Sequence, residues 1–227
     1  MTLRPSLSAE DHTMISKAVA VAEAQSAAEI VTILTEQSDG YTDVALSWAS
    51  LAAMSALAAL AIAPDIYLVP YEWLKGGWMN EWTVPEVLLV ALLVAASEFV
   101  GVMLVQLWPP LKFWLVPPPI KAQRVRDQAV RAFRIGAERR THGRTGILIY
   151  LSLRERRAEI VADEAIAGRV DLDVWGEAMA AMIERVRDGR VADGMTAAVE
   201  RVGAIVAEHL PRAKDDQNEL PDRLIEV

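Results

Sequence analysis

Two charge-poor stretches set the first limit on what this chain can fold into. Val44–Ala63 reads VALSWASLAAMSALAALAIA, and Val87–Trp108 reads VLLVALLVAASEFVGVMLVQLW with Glu98 as its one charge. At about 1.5 Å of rise per residue, each helix is long enough for a hydrocarbon core of roughly 30 Å. Asp43 and Pro64 bound the first, and Pro85-Glu86 and Pro109-Pro110 bound the second. Neither shows the continuous polar stripe expected of a core helix in a soluble domain. The expectation is two transmembrane helices, 44–63 and 87–108, joined by an aromatic-rich connector, 64–86. Composition agrees: 53% of the 227 residues are apolar while 24% are charged, so an apolar block sits beside ordinary charged sequence. With no cysteine, thiol catalysis and Cys-based zinc sites are excluded. A net charge of −8 argues against a nucleic-acid partner for the whole protein.

The start, MTLRPSLSAEDHTMISK, has no apolar core, so no signal peptide is expected. The connector carries one basic residue, Lys75. Lys112, Lys121, Arg124, Arg126, Arg131, Arg134, Arg139 and Arg140 follow the second stretch. Excess Lys and Arg stay on the cytoplasmic side. The expectation is a multi-pass protein of a bacterial inner membrane with both termini cytoplasmic. Tyr67, Tyr71, Trp73, Trp78 and Trp82 in the connector suit the headgroup layer, as an anchoring belt or as a surface for an outside partner or lipid.

Outside these stretches the sequence reads as α/β. Residues 7–27 predict a helix, with Ser8 as N-cap, Glu10 and Asp11 in its first turn, and Ile15, Val19 and Ala22 on one face. Glu29–Glu36 predicts a strand. Lys121–Arg140 predicts a basic amphipathic helix with Val125, Ala129, Ala132 and Phe133 inward. A turn at 142–146 leads to the apolar strand Ile147–Ser152, buried on both faces, which pairs as a hairpin with Ala158–Ala162. Helices over 172–188 and 191–210 follow, with Gly189 as a C-cap between them. The tail, 211–227, reads as solvated and flexible. Strand–crossover–strand implies a parallel pair, and the hairpin adds an antiparallel neighbour. The fold class expected is therefore a small mixed three-stranded sheet with helices on both faces. Residues 1–43 and 109–210 form one domain that the transmembrane hairpin interrupts.

Tyr41-Thr42-Asp43, Gly143-Arg144-Thr145-Gly146-Ile147-Leu148-Ile149-Tyr150 and Arg157-Ala158-Glu159-Ile160-Val161 resemble the TPM-domain family. So does the closing pattern Trp175…Arg187-Asp188-Gly189…Asp193-Gly194…Ile205. The resemblance covers 7–41 and 121–210 and implies a small α/β sandwich. Some plant members are described as acid phosphatases, with metal binding ascribed to acidic residues near strand ends. Where many members continue the hairpin's second strand with glycines, this chain has Ala162-Asp163-Glu164-Ala165.

Candidate chemistry is sparse. Asp163 and Glu164, with Asp171 and Asp173, offer oxygen ligands for a hard cation such as Ca2+ or Mg2+, which could polarise a phosphoryl group. The same acids also read as a solvated strand-to-helix loop, with Asp171 or Asp173 as a helix cap. Asp188 and Asp193 read as turn and cap residues. His12, His142 and His209 show no ligand spacing, and His142 is the most plausible catalytic one. No nucleophile elbow, P-loop or kinase set occurs. The arginines Arg124, Arg126, Arg131, Arg134, Arg139, Arg140 and Arg144 could rest on anionic lipid, hold phosphate or an acidic partner, or serve topology alone. Glu98 is a polar group inside the membrane that would be protonated or would face another helix, packing within the hairpin or between protomers. The functional expectation is a scaffold or regulator of other membrane components, without enzyme activity, contacting lipids and a membrane-protein partner or a second copy. The alternative is a divalent-metal-dependent phosphatase with Asp163, Glu164 and Asp173 at its centre. A small transport component using Glu98 is a third possibility.

Overall fold

A computed structural model describes residues 7–74, 76, 82–136, 145–170, 172–212 and 222–227. The chain divides into two compact units, one made of 1–39 and 118–227 and the other of 40–117.

The discontinuous unit is the α/β domain. It begins with α1 (Ala9–Glu23), whose start is a full capping box. The Ser8 hydroxyl accepts from the Asp11 N–H, and the Asp11 carboxylate accepts from the Ser8 N–H. β1 (Glu29–Thr35) follows. After the intervening unit come α6 (Pro118–Gly136), β2 (Gly146–Ser152), β3 (Arg157–Ala162), the one-turn α7 (Glu164–Ala167), α8 (Leu172–Arg187), α9 (Val191–His209) and β4 (Ile225–Glu226).

The sheet order is β3-β2-β1-β4, with β1 parallel to β2 and β4, and β2 antiparallel to β3. β1 and β2 are central and buried along their whole length. β2 accordingly reads as a nearly continuous apolar run, while β1 buries Glu29, Thr32 and Thr35 among its β-branched and apolar residues. Period-two alternation divides their side chains. Ile30, Leu34, Ile147, Ile149 and Leu151 pack with α1, α8 and α9. Val31, Ile33, Leu148 and Tyr150 pack with Val125, Ala129 and Phe133 of α6. Helices therefore cover both faces, and the mixed sheet stands as expected.

The sheet has four strands, one more than the sequence suggested, and the extra one corrects the reading of the tail. Leu224 is buried in the larger core, while Ile225 packs on the α6 side. The last residues alternate like a strand but are too few to be read as one before a neighbour is known.

The second unit contains α2 (Thr42–Ile62), α3 (Asp65–Leu74), α4 (Val84–Val105) and α5 (Pro109–Leu115). α2 and α4 form an antiparallel pair: the Gln106 amide, just past the end of α4, donates to the Ala45 carbonyl near the start of α2 at 3.2 Å. Trp48 Nε1 donates to the Leu115 carbonyl at 3.1 Å. Only 22% of the apolar window of α2 and 6% of that of α4 are buried, and both are long and apolar enough to cross a membrane. Leu51, Met54, Leu88, Leu92 and Leu104 are all more than half exposed. In the α/β unit, large exposed apolar side chains among the described residues are few: Val21, Ile135 and Val227.

Because β1 comes from before the inserted unit, fragment 109–227 lacks a central strand and is expected not to fold alone. Asp39 and Arg124 pair at 3.4 Å, so the two segments of the α/β unit come together beside the insertion. Replacing 40–117 with about ten Gly/Ser residues, a reach of roughly 30 Å, is expected to give a soluble α/β protein with a cooperative melt. Insolubility, or a gradual melt, would count against its independence.

Candidate functional site

In open α/β sheets, ligand sites lie beyond the carboxyl ends of parallel strands. Here that edge is formed by Thr35 and Ser152, which are register partners and both buried. Ser38, just beyond β1, donates its N–H to Glu155 Oε1 at 3.0 Å and places its hydroxyl 3.1 Å from the Tyr150 hydroxyl. The Ser152 hydroxyl donates to the other oxygen of Glu155. Burial pushes the Tyr150 phenol above its ordinary range, with hydrogen bonds from Ser38 and Thr35 opposing, so it is neutral and serves as a hydrogen-bonding group. Arg154 donates through Nε to Glu36 at 3.0 Å, and Arg124 pairs with Asp39. The arrangement is a polar latch that fixes residues 36–39, the segment leading into α2. Ser152 is paired with a carboxylate and not with an imidazole. No motif in the sequence links Ser38 to this group: it stands 112 residues from Tyr150 and 117 from Glu155, across the insertion.

The acids proposed for a metal are placed differently from one another. Asp163 is 7% exposed, and its carboxylate accepts the Gly146 N–H at 3.1 Å while its own N–H donates to the Gly146 carbonyl, closing the β2–β3 ladder. Glu164, in α7, and Asp173, in the first turn of α8, are exposed. No group of three or more His, Asp or Glu side chains able to hold a metal occurs among the described residues. Asp171, His142, Lys75, Trp78, Arg139, Arg140 and Arg144 lie outside them. Asp188 and Asp193 flank Arg190, which reaches them at 3.1 and 3.4 Å across the turn at Gly189, where φ is +81°. Asp188 is a turn residue, as expected, whereas Asp193 lies in the first turn of α9, whose N-cap is Arg190.

The basic helix is partly neutralised within the domain. Arg124 pairs with Asp39, and Arg126 lies 3.5 Å from Glu159. Burial raises the pKa of Glu159 and the charges of Arg126 and Arg157 oppose that shift. Arg131 and Arg134 are exposed on α6, and Glu98 is exposed on α4.

An open groove of about 850 Å3 lies between α1 and α9, unmarked by any motif in the sequence. Its walls include Met14, Val21 and Ala22 from α1, and Thr196 and Gly203 from α9. The Thr196 hydroxyl is buried without a hydrogen-bond partner among the described residues.

Residues 117–205 match the family model of the TPM domain. The chain carries a TPM domain. Over 100% of this chain and 99% of the other, the structure is similar to the solution structure of BA42 from the psychrophilic bacterium Bizionia argentinensis, with a TM-score of 0.57 and 17% identity. That likeness concerns the fold. None of the curated proteins matches. The family match begins where the inserted unit ends, and α1 and β1, which precede that unit, lie in the same compact unit as the matched elements.

Proposed function

We propose that this protein is a multi-pass inner-membrane protein whose TPM domain lies in the cytoplasm and acts, without catalysis, as a scaffold or regulator of other membrane components. The observation that carries this reading is the insertion itself: two apolar, mostly unburied helices leave and re-enter one folded domain within its own sheet. A domain so tethered at two points stays at the bilayer surface, which suits organising neighbours better than acting on diffusing substrates. The basic flank after α4 supports the orientation. Exposed Glu98 supports a partner within the bilayer. An ionised carboxylate in hydrocarbon costs at least a few kcal/mol, and burial against a partner's helix or a second copy offsets this.

Alkaline carbonate should leave the full chain in the membrane fraction, and a reporter fused after Val227 should be active only in its cytoplasmic form. A periplasmically active reporter would overturn the orientation. Glu98→Gln should keep self-association or partner capture in mild detergent, because a carboxamide still hydrogen-bonds, whereas Glu98→Leu should weaken it. Equal capture by both variants would remove Glu98 from the interface. Phosphoester hydrolysis by the purified protein with Mg2+ or Ca2+, abolished by Asp163→Asn, Glu164→Gln and Asp173→Asn together, would replace the scaffold with the phosphatase reading.

A further inference from the structure

The edge that holds the latch carries more positive charge than its own acids neutralise. Arg124 and Arg154 are closed by Asp39 and Glu36. Glu155 is buried, and both of its oxygens already accept protein hydrogen bonds. Around it stand Lys121 from the first turns of α6, Arg156 from the turn between β2 and β3, and Arg157 from the start of β3. They are close enough for their charges to act on one another. Burial lowers the Lys121 pKa, Glu155 opposes this, and Arg157 and Arg156 add to it. Arg157 gives Nη2 to the Pro118 carbonyl at 3.2 Å, tying the β2–β3 turn to the start of α6. The side chains of Lys121 and Arg156 have no hydrogen bond or ion pair among the described residues.

The backbone gives an independent sign. Arg156 has φ +53°, left-handed, where a turn ordinarily takes glycine or asparagine. Holding a long cationic side chain in that conformation is unfavourable, and such outliers gather where a side chain is needed in one place. Arg156 and Arg157 are successive residues, Arg157 reaches the Pro118 carbonyl at the start of α6, and Lys121 stands three residues further along that helix. Two guanidinium forks and an ammonium in one neighbourhood, with fewer carboxylates than cations, match a tetrahedral oxyanion.

We propose that Lys121, Arg156 and Arg157 form a binding site for a phosphate group, carried either by an anionic phospholipid headgroup or by a soluble phosphate monoester. Lys121 follows the inserted unit by only four residues, so the site belongs to the first turns of chain after it. The lipid source rests on the membrane reading above, and the soluble source does not.

The test uses the full chain in mild detergent, with two probes. Native mass spectrometry measures retained phosphatidylglycerol against phosphatidylcholine, and thermal melting measures stabilisation by inorganic phosphate against chloride at matched ionic strength. Wild type should respond to at least one probe. Lys121→Gln/Arg156→Gln/Arg157→Gln should weaken that response about tenfold or more, the scale of losing charge-assisted hydrogen bonds. Lys121→Arg/Arg156→Lys, which keeps every charge, should retain it and serves as the folding control. Arg126→Gln/Arg131→Gln/Arg134→Gln removes the same charge from elsewhere and should leave the response nearly intact. A response to lipid alone assigns the headgroup, and one to phosphate alone assigns the soluble ligand. No response from wild type, or equal loss in both neutralised triples, would overturn the site. Carbonate extraction, read separately, reports on the membrane reading.

Discussion

Gly203→Ala is expected to lower the melting temperature of the full chain in detergent by several degrees. A Cβ at position 203 would lie 2.5 Å from Ala22 Cβ and 3.2 Å from Ala22 Cα, against the backbone of α1 and not against a side-chain end that could swing away. Alanine favours an isolated helix over glycine by about 1 kcal/mol, but overpacking of this kind costs about 1–3 kcal/mol, and here both helices must part. The net loss should be near 2 kcal/mol, roughly 4–8 °C for a chain of this size. Gly176→Ala provides the contrast: nothing lies within 4 Å of its Cβ, so the helix term acts alone and stability should rise. Ala22→Gly added to Gly203→Ala should recover part of the loss. A melt unchanged by Gly203→Ala would mean that α1 and α9 do not approach as closely as the structure places them.

Glu23 should make the protein less stable as pH rises from about 5 to 8, by up to about 1.4 kcal/mol per pH unit. It ends α1, is 7% exposed and accepts the Ile30 N–H at 2.8 Å. Burial raises its pKa from 4.5 to about 8. The Ile30 hydrogen bond opposes this, while Glu29 and Asp222 add to it through charge and a shared hydrogen bond. The folded chain thus keeps a proton that the unfolded chain has released above 4.5. Its contribution is complete below pH 4.5, is lost as pH climbs to about 8, and is gone above that. Glu23→Gln retains the acceptor for Ile30 and a donor towards Asp222 but cannot ionise. It should flatten the melting profile between pH 6 and 8.5 and be the more stable form at pH 8.5 by roughly 2 kcal/mol or more. Parallel profiles for variant and wild type would remove Glu23 as the source.

These two sites show where sequence reasoning stops. The helix start at Ser8 and the inward face of Ile15, Val19 and Ala22 were readable because caps and periodicity are local. The role of Ala22 as the contact for Gly203 was not, since nothing local marks which helix a small residue will meet. Asp163 looked like a ligand because it is an acid at a strand end, and only the hydrogen bond from Gly146 reveals its structural work. The basic helix was legible as basic. That Arg124 and Arg126 are paired with Asp39 and Glu159, while Lys121 joins the turn arginines, depended on how α6 lies along β3.

The sequence alone determined the two long apolar helices, the interruption of one α/β domain, the central strands and the resemblance to the TPM family. The helices and strands follow from composition or periodicity within a short window, where the solvent preference of side chains dictates local structure. The interruption follows from their order along the chain, and the resemblance rests on short motifs. Tertiary structure alone decided the rest: the fourth strand from Ile225–Glu226, the latch joining Ser38 to Tyr150 and Glu155, and the groove between α1 and α9. Those features depend on which distant segments meet. Contacts between residues more than a hundred positions apart are set by packing the whole core, and local preference carries no record of them.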